Sequence, residues 1–226
     1  MPEWWTYTFS DFLLFSPRTY YRLIERHNVA TWPWQIATLG LGLVIAAMLR
    51  RPAPWQGRAV SAVLAALWAW VAWAFVWRRY VPINWAASYF VGLYAIEVVL
   101  LVWIGVVRGG LSFRMKRDAA GSIGVGLLIL SLVLYPMLAP LLGRGWRQAE
   151  LFGIAPDPTV VATIGVLLLA EGGSRWGLLA APLLWCLVSG ATLWAMGSPE
   201  VWVLLPAALL ALGASARGAM RAGRGV

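Results

Sequence analysis

Residues 84–107 read NWAASYFVGLYAIEVVLLVWIGVV, and Glu97 is the single charged side chain in this run. A bilayer core about 30 Å thick needs roughly 20 helical residues, so the run is long enough to cross it. Peptide groups inside lipid have no water to bind and must pair with one another within a helix. The stretch therefore predicts a transmembrane helix, and it sets the fold class of the chain.

Further apolar stretches extend this prediction to an all-α, polytopic transmembrane helical bundle of about seven spans. The predicted spans are 32–49, 59–77, 84–107, 120–142, 158–170, 177–196 and 200–216. The fifth is short, because about 13 helical residues reach only about 20 Å. Two explanations are open: a tilted helix in a thinned bilayer, or residues 155–158 entering the membrane as non-helical backbone shielded by protein.

The two ends of the chain differ from this transmembrane domain, which is expected over residues 30–216. Residues 1–29 form an aromatic, amphipathic leader, in which Ser16 and Pro17 are suited to start a helix that lies in the membrane interface. This helix is either an anchor or a lid or docking surface. Residues 217–226 are expected to form a basic tail.

Composition excludes several classes of function. Hydrophobic residues make up 61% of the chain and charged residues 12%, which is far from a soluble globular protein. The net charge of +9 does not indicate nucleic acid, because the arginines stand at the ends of apolar runs, where they orient membrane helices. The expected partner is therefore the lipid bilayer. The excess of arginine in alternate loops favours the N-terminus outside and the C-terminus in the cytoplasm.

Motifs for catalysis or cofactor binding are missing from the sequence. The single cysteine, Cys186, excludes an intrachain disulfide and a cysteine-rich metal site, and the single histidine, His27, excludes a bis-histidine haem within one chain. No metalloprotease motif or Gly-rich phosphate loop is present. We expect no catalytic residue, no metal, no cofactor and no enzymatic activity.

Glu97 is the most unusual polar residue, because it lies in the middle of an apolar span. A carboxylate there is costly unless it faces the bundle, is protonated or has a partner. Two interpretations are open. Glu97 is a proton-coupling group or ion ligand, or it is a protonated acid that hydrogen-bonds a hydroxyl on another helix, with four candidate partners: Thr38, Ser131, Thr163 and Ser189.

Three further polar residues stand near span ends and complete a candidate intramembrane or mouth site. They are Asn84, Asp157 and Glu171. Helix ends can bind ions or polar solutes through unpaired backbone groups, although Asn84 and Asp157 are more simply explained as helix caps. Four tryptophans deep in the spans form a candidate aromatic lining, or fill space between helices: Trp68, Trp70, Trp73 and Trp185.

A short sequence pattern that occurs twice indicates an internal duplication. Residues 33–40 and 158–165 both read Pro-x-x-aliphatic-Ala-Thr-aliphatic-Gly. If each opens a set of three helices, the chain divides into three helices, a linker helix and three helices, with the two triplets parallel. Parallel repeats of this kind occur in small sugar transporters.

Several short motifs resemble a family of uncharacterised bacterial multi-pass membrane proteins, a domain family of unknown function. They are Asn28 to Trp34 with Pro33 and Gln35, Pro82-Ile83-Asn84-x-Ala86-Ala87-x-Tyr89-Phe90, Phe113-Arg114, Tyr135-Pro136 and Phe152-Gly153-x-x-Pro156-x-Pro158-Thr159. The resemblance implies a multi-pass protein of the bacterial inner membrane and conveys no activity. The family pattern has a cysteine where this chain has Asp157, so a thiol-based role does not carry over.

Three functions are compatible with these features. The first is a non-enzymatic interaction or accessory subunit, with a membrane-protein partner or a second copy of the chain. The second is a small-solute or proton-linked transporter with Glu97 as the coupling group. The third, supported least, is a subunit associated with a cofactor or pigment, for which the deep tryptophans are the only motivation.

Overall fold

The computed structural model describes residues 13–115, 118–171 and 175–223. Within these ranges the chain is almost entirely helical. The helices are α1 (Pro17–Ala30), α2 (Trp34–Arg50), α3 (Gln56–Tyr80), α4 (Ala87–Val107), α5 (Ala119–Leu141), α6 (Pro156–Leu168), α7 (Arg175–Ala195) and α8 (Val201–Gly223). Strands β1 (Ser112–Phe113) and β2 (Ala170–Glu171) form a short antiparallel pair. The all-α prediction is confirmed.

The number of spanning helices is smaller than the sequence predicted. Four helices are long and apolar enough to cross a membrane, α3, α4, α5 and α7, and a fifth is reached if α1 and α2, which meet at 89°, count as one broken span. The expected seven is therefore corrected to four or five. The predicted spans 158–170 and 200–216 correspond to the shorter apolar stretches Pro156–Leu168 and, within α8, Val201–Ala216. Pro156–Leu168 is apolar because it is buried among other helices, and a hydropathy pattern does not separate such residues from residues that face lipid.

The outer surface of the bundle is apolar. Large hydrophobic side chains on several helices are more than half exposed, among them Leu43, Leu141 and Leu209. Water-soluble monomers rarely expose apolar surface on this scale. The four apolar helices and this surface together suggest a membrane location.

Helix α1 forms as the sequence predicts. The Thr19 amide donates a hydrogen bond of 3.2 Å to Ser16 Oγ, and Pro17 occupies the first helical position, where no backbone donor is needed. The face that carries Leu23 and Ile24 is buried. Because α1 meets α2 at 89°, it lies across one end of the bundle.

Helix α6 lies at the centre of the bundle. All of its residues, from Pro156 to Leu168, are buried among neighbouring helices, chiefly α5, α7 and α8. Its crossing with α5 is close, because a Cβ added to Gly165 would lie 2.7 Å from the carbonyl oxygen of Gly124. The chain is also buried before the helix begins, from Ala149 to Ala155, except at Leu151. Non-helical backbone therefore enters the fold ahead of Asp157.

Contacts between distant residues define the two ends of the bundle. At the α1 end, Tyr21 and Asn28 of α1 hydrogen-bond Ser198 and Ala149, at 2.6 and 2.7 Å. At the opposite end, which we call the hairpin end, β1 pairs with β2 after α4 and α6 have finished. The segment from Ala149 to Ala170 thus connects the two ends, although its helix is short.

The two copies of the repeated sequence pattern occupy different positions relative to the starts of their helices. Pro33 precedes α2, whereas Pro158 is the third residue of α6, and α6 is wholly buried while much of α2 is exposed. The repeated pattern therefore does not mark equivalent helix starts, and the internal repeat stays a prediction. Most of the predicted basic tail continues α8 as helix, to Gly223, whereas residues 1–12 of the leader and 224–226 lie outside the described residues.

Candidate functional site

Asp157 accepts three hydrogen bonds inside the bundle. It is 1% exposed and lies in the first turn of α6. Trp185 Nε1 donates to Oδ1 at 2.7 Å, while Ser189 Oγ at 2.8 Å and the Tyr135 hydroxyl at 3.4 Å donate to Oδ2. A carboxylate at the N-terminus of a helix is also favoured by the helix dipole. The site therefore surrounds a buried carboxyl group with hydrogen-bond donors.

The prediction that Asp157 is a helix cap is wrong. Ala155 occupies the cap position, and no side chain caps α6. The hydrogen bonds of Asp157 instead come from side chains on α5 and α7. Asp157 therefore joins three helices, which is a tertiary role that the local sequence does not reveal.

Glu150 adds a second buried acid beside Asp157. Burial raises the pKa of the Glu150 carboxyl well above its ordinary range, the negative charge of Asp157 raises it further, and the positive charge of Arg144 lowers it. Glu150 Oε2 has no hydrogen-bond partner among the described residues. Two adjacent acids in one buried site do not ionise independently.

Arg144 and Glu200 form an ion pair at the α1 end of the bundle. Glu200 also accepts hydrogen bonds from Ser198 and from the Tyr21 hydroxyl, the latter at 3.2 Å. The Arg144 guanidinium lies 3.8 Å from the centre of the Tyr21 ring. Sequence reasoning missed this cluster, because its members lie in α1, in the loop after α5 and in the loop before α8, which are distant along the chain.

A surface groove of about 330 Å³ opens onto this cluster. Tyr21, Glu25, Arg144 and Gln148 are among its lining residues. Arg144 thus lines the groove, pairs with Glu200 and also acts electrostatically on the buried carboxyl of Glu150.

Glu97 contrasts with Asp157, because it has no polar partner. It is 0% exposed in the middle of α4, and neither carboxyl oxygen has a hydrogen-bond partner among the described residues. The hydroxyls proposed as partners bond elsewhere, so the interpretation of Glu97 as a packing hydrogen bond is wrong. Thr38 donates to Gln35, Ser131 to Pro158, Thr163 to Thr159 and Ser189 to Asp157.

The four candidate tryptophans separate into two pairs. Trp68 and Trp185 are buried, and the ring of Tyr94 lies between them, with centroid distances of 4.5 and 5.2 Å. Trp70 and Trp73 contact each other elsewhere on α3, and Trp73 is 51% exposed. A single aromatic lining made of all four is therefore not formed.

Trp68 connects α3 to the central helix through a hydrogen bond. Its Nε1 donates to the Thr163 hydroxyl at 2.9 Å, and that hydroxyl donates to the carbonyl of Thr159. The same face of α4 that carries Glu97 carries Tyr94, one helical turn away. The two buried carboxyl positions are thus linked by aromatic rings, without a continuous hydrogen-bonded path.

The remaining two candidates lie apart from this site. Asn84 is half-buried, and its Oδ1 accepts a hydrogen bond of 3.1 Å from the Ala86 amide. Ala86 occupies the cap position of α4 and no side chain caps that helix, so the prediction that Asn84 is a helix cap is also wrong. Glu171 is exposed on β2, at the hairpin end. The four predicted polar residues do not converge, and across the described ranges no group of three histidine, cysteine or acidic side chains could hold a metal ion.

Fold and site together define a class: a bundle with several helices long enough to cross a membrane, packed around a short buried helix that carries an ionisable site. The chain belongs to the family of unknown function DUF6064, whose model matches residues 18–224. This confirms the resemblance to a domain family of unknown function that the sequence motifs indicate. No curated protein and no solved structure matches the chain. The match includes α1, α6 and the Asp157 site.

Proposed function

We propose that the chain is a proton-linked membrane transport protein in which Asp157 takes up and releases the proton. The observation that carries the proposal is a fully buried carboxylate, with three side-chain donors, at the start of a helix that begins inside the fold. Ionisable residues within membrane bundles commonly mark proton or ion pathways. Transporters often place such sites where helices are interrupted.

The other charged residues near the α1 end support the same function. The buried Glu150 interacts electrostatically with both Asp157 and Arg144, and Arg144 pairs with Glu200 and lines the groove at the α1 end. A proton can pass between such groups through hydroxyls and water, so no open cavity for a solute is needed beside Asp157.

Vesicles that contain a trapped pH-sensitive dye provide the direct test. The full chain is reconstituted, a potassium diffusion potential is imposed with valinomycin, and proton entry is followed. We expect wild-type vesicles to acidify faster than protein-free vesicles, Asp157→Asn to remove the difference, and Glu97→Gln to retain it. Loss of the difference in Glu97→Gln together with its retention in Asp157→Asn would contradict a proton role for Asp157.

Infrared difference spectra test proton exchange without assuming a solute. Titration of the reconstituted chain should reveal the carbonyl stretch of a protonated carboxyl, and the Asp157→Asn variant should lack that band. If the band is unchanged in Asp157→Asn and disappears in Glu97→Gln, the coupling group is Glu97, as the sequence first suggested.

A non-enzymatic accessory subunit is the second candidate. It is favoured by the exposed aromatic face of α3, where Trp73 and Trp77 are each about half exposed. Aromatic residues are enriched in protein interfaces, although the same face is compatible with lipid. Mild solubilisation tests this candidate: a stable stoichiometric membrane-protein partner would favour it, and an isolated monomer that moves protons in vesicles would remove it.

A further inference from the structure

Four arginines line a groove between α1 and the end of α3, separate from the Asp157 site. They are Arg22, Arg26, Arg78 and Arg79. The groove has a volume of about 430 Å³, and Leu23 and Ile83 give it apolar walls. Cations that converge from two helices, next to apolar surface, are suited to an anion that carries an apolar portion.

The positive charge of this groove is not balanced by acids in the part of the chain that the structure describes. There, the one ion pair joins Arg144 to Glu200, outside the groove. Glu25, the acid nearest along α1, accepts a hydrogen bond of 3.1 Å from Gln148, and it lines the neighbouring groove together with Arg22. None of the four groove arginines forms an ion pair with an acid among the described residues, so the groove is open to a counter-charge from outside them.

The position of the groove indicates the source of that counter-charge. Helix α1 lies across the end of the bundle, and the exposed tryptophans of this end form a belt of the kind found at headgroup depth. The belt consists of Trp32, Trp34, Trp77 and Trp85. Arg78 lies 5.1 Å from the centre of the Trp73 ring, so its guanidinium is held near the same level.

We propose that this groove binds the phosphate diester of an anionic phospholipid. Guanidinium groups match phosphate oxygens through paired, charge-assisted hydrogen bonds. Basic pockets beside transmembrane helices bind phosphate headgroups in the same way. The apolar walls then contact the glycerol and the first acyl carbons, which a free phosphate ion lacks.

Native mass spectrometry of the full chain measures this binding. The protein in neutral detergent is titrated with phosphatidylglycerol, or with zwitterionic phosphatidylcholine as the lipid control. We expect tighter binding of phosphatidylglycerol by the wild type. The double variant Arg78→Gln/Arg79→Gln should weaken that binding by roughly thirtyfold, from the usual contribution of an arginine near a lipid surface.

A matched variant at the opposite end of α2 controls for total charge. Arg50 and Arg51 are adjacent and exposed, so Arg50→Gln/Arg51→Gln removes the same two charges. We expect it to change the affinity by less than about twofold. If Arg78→Gln/Arg79→Gln fails to give a monodisperse helical protein, Arg22→Gln/Arg26→Gln tests the same groove from α1, and Arg78→Lys/Arg79→Lys should bind with intermediate affinity.

Three results would overturn the proposal. The first is an equal loss of affinity in the two glutamine double variants, which would reveal a general charge effect. The second is equal binding of phosphatidylcholine and phosphatidylglycerol. The third is displacement of the lipid by millimolar inorganic phosphate, since the groove would then hold a free anion and not a lipid headgroup.

Discussion

Asp157 and Glu97 are two acids buried to the same extent, yet their surroundings differ completely. Asp157 accepts hydrogen bonds from Trp185, Ser189 and Tyr135, whereas Glu97 has no partner among the described residues. Burying a carboxyl group without partners is costly, while hydrogen-bond donors around a buried carboxyl offset part of that cost. Position within an apolar run therefore does not reveal which buried acid has hydrogen-bond donors around it, because those donors come from other helices.

The comparison also separates two kinds of dependence on the fold. The donors of Asp157 come from α5 and α7, so its site exists only when α6 is packed between them. Glu97 lies on α4 and depends on no donor, so its removal disturbs no hydrogen bond. Substitutions at the two positions should therefore have opposite effects on stability.

The largest effect is expected from Asp157→Ala. The substitution leaves the Trp185 N–H and the Ser189 and Tyr135 hydroxyls without their acceptor, and it opens space at the start of α6. We expect the free energy of unfolding to fall by about 4 kcal/mol. Reversible denaturation in mixed micelles, followed by tryptophan fluorescence, measures the change.

Asp118→Ala is the matched control for that experiment. Asp118 caps α5 by accepting a hydrogen bond of 2.8 Å from the Gly121 amide. Loss of such a cap costs about 1 kcal/mol. Similar losses in the two aspartate variants would mean that the donors around Asp157 contribute little.

Gly165→Ala should give the next largest effect, because it disturbs the crossing that brings α5 to Asp157. A new Cβ would lie 2.7 Å from the Gly124 carbonyl and 3.1 Å from the Leu128 amide, and backbone atoms cannot move aside cheaply. We expect a loss of about 2–3 kcal/mol in the same denaturation assay. Gly126→Ala is the control, since its added Cβ meets nothing within 4 Å. A tolerated Gly165→Ala would show that the crossing can open.

Gly165 and Gly126 also show that the sequence alone does not predict which face of an apolar helix is buried. The pair Ser122 and Gly126 looks like a small-residue packing motif, but both residues are exposed, and the close crossing uses Gly124. The helical fold class and the amphipathic helix α1 can both be predicted from the spacing of apolar residues along the chain. Which face of an apolar helix is buried depends on neighbours that are distant along the chain.

The Asp157 site was only partly predictable for the same reason. Glu97 is a candidate from the sequence because its neighbours are apolar, and Asp157 is a candidate because it lies next to a short predicted span. The donors Trp185 and Ser189 come from a helix about 30 residues away, and nothing in the sequence relates their positions to Asp157. The excess of predicted spans arose similarly, because α6 is apolar through burial in protein and is too short to qualify as a span.

His27 provides a pH-dependent test of the buried loop ahead of Asp157. Its ring is hydrogen-bonded at 3.3 Å to the Ile154 carbonyl, and its pKa is lowered from 6.5 to about 4 by burial and then by the positive charge of Arg79. Between these two pKa values the unfolded chain binds the proton and the folded chain does not. The stability contributed by neutral His27 is therefore present above about pH 6.5 and is lost as the pH falls towards 4.

We expect the wild type to lose about 2 kcal/mol of unfolding free energy through His27 between about pH 7 and pH 5. His27→Gln removes this titration, so its unfolding free energy should fall by about 2 kcal/mol less than that of the wild type over the same pH range. The variant comparison is needed because Glu150, whose raised pKa acts with the opposite sign, contributes to both proteins. If the unfolding free energy depends on pH equally in the wild type and in His27→Gln, the burial of a neutral imidazole is contradicted.

Glu97→Met should have the smallest effect, and in the opposite direction to Asp157→Ala. Methionine has a similar length and needs no hydrogen bond, so it removes two unpartnered oxygens without opening a large cavity. We expect the free energy of unfolding to rise by about 1 kcal/mol. Glu97→Gln serves as the polar control and should gain less, because its amide also lacks partners in this position. If both substitutions destabilise the chain, Glu97 has a partner in the folded protein, and the contrast with Asp157 is lost.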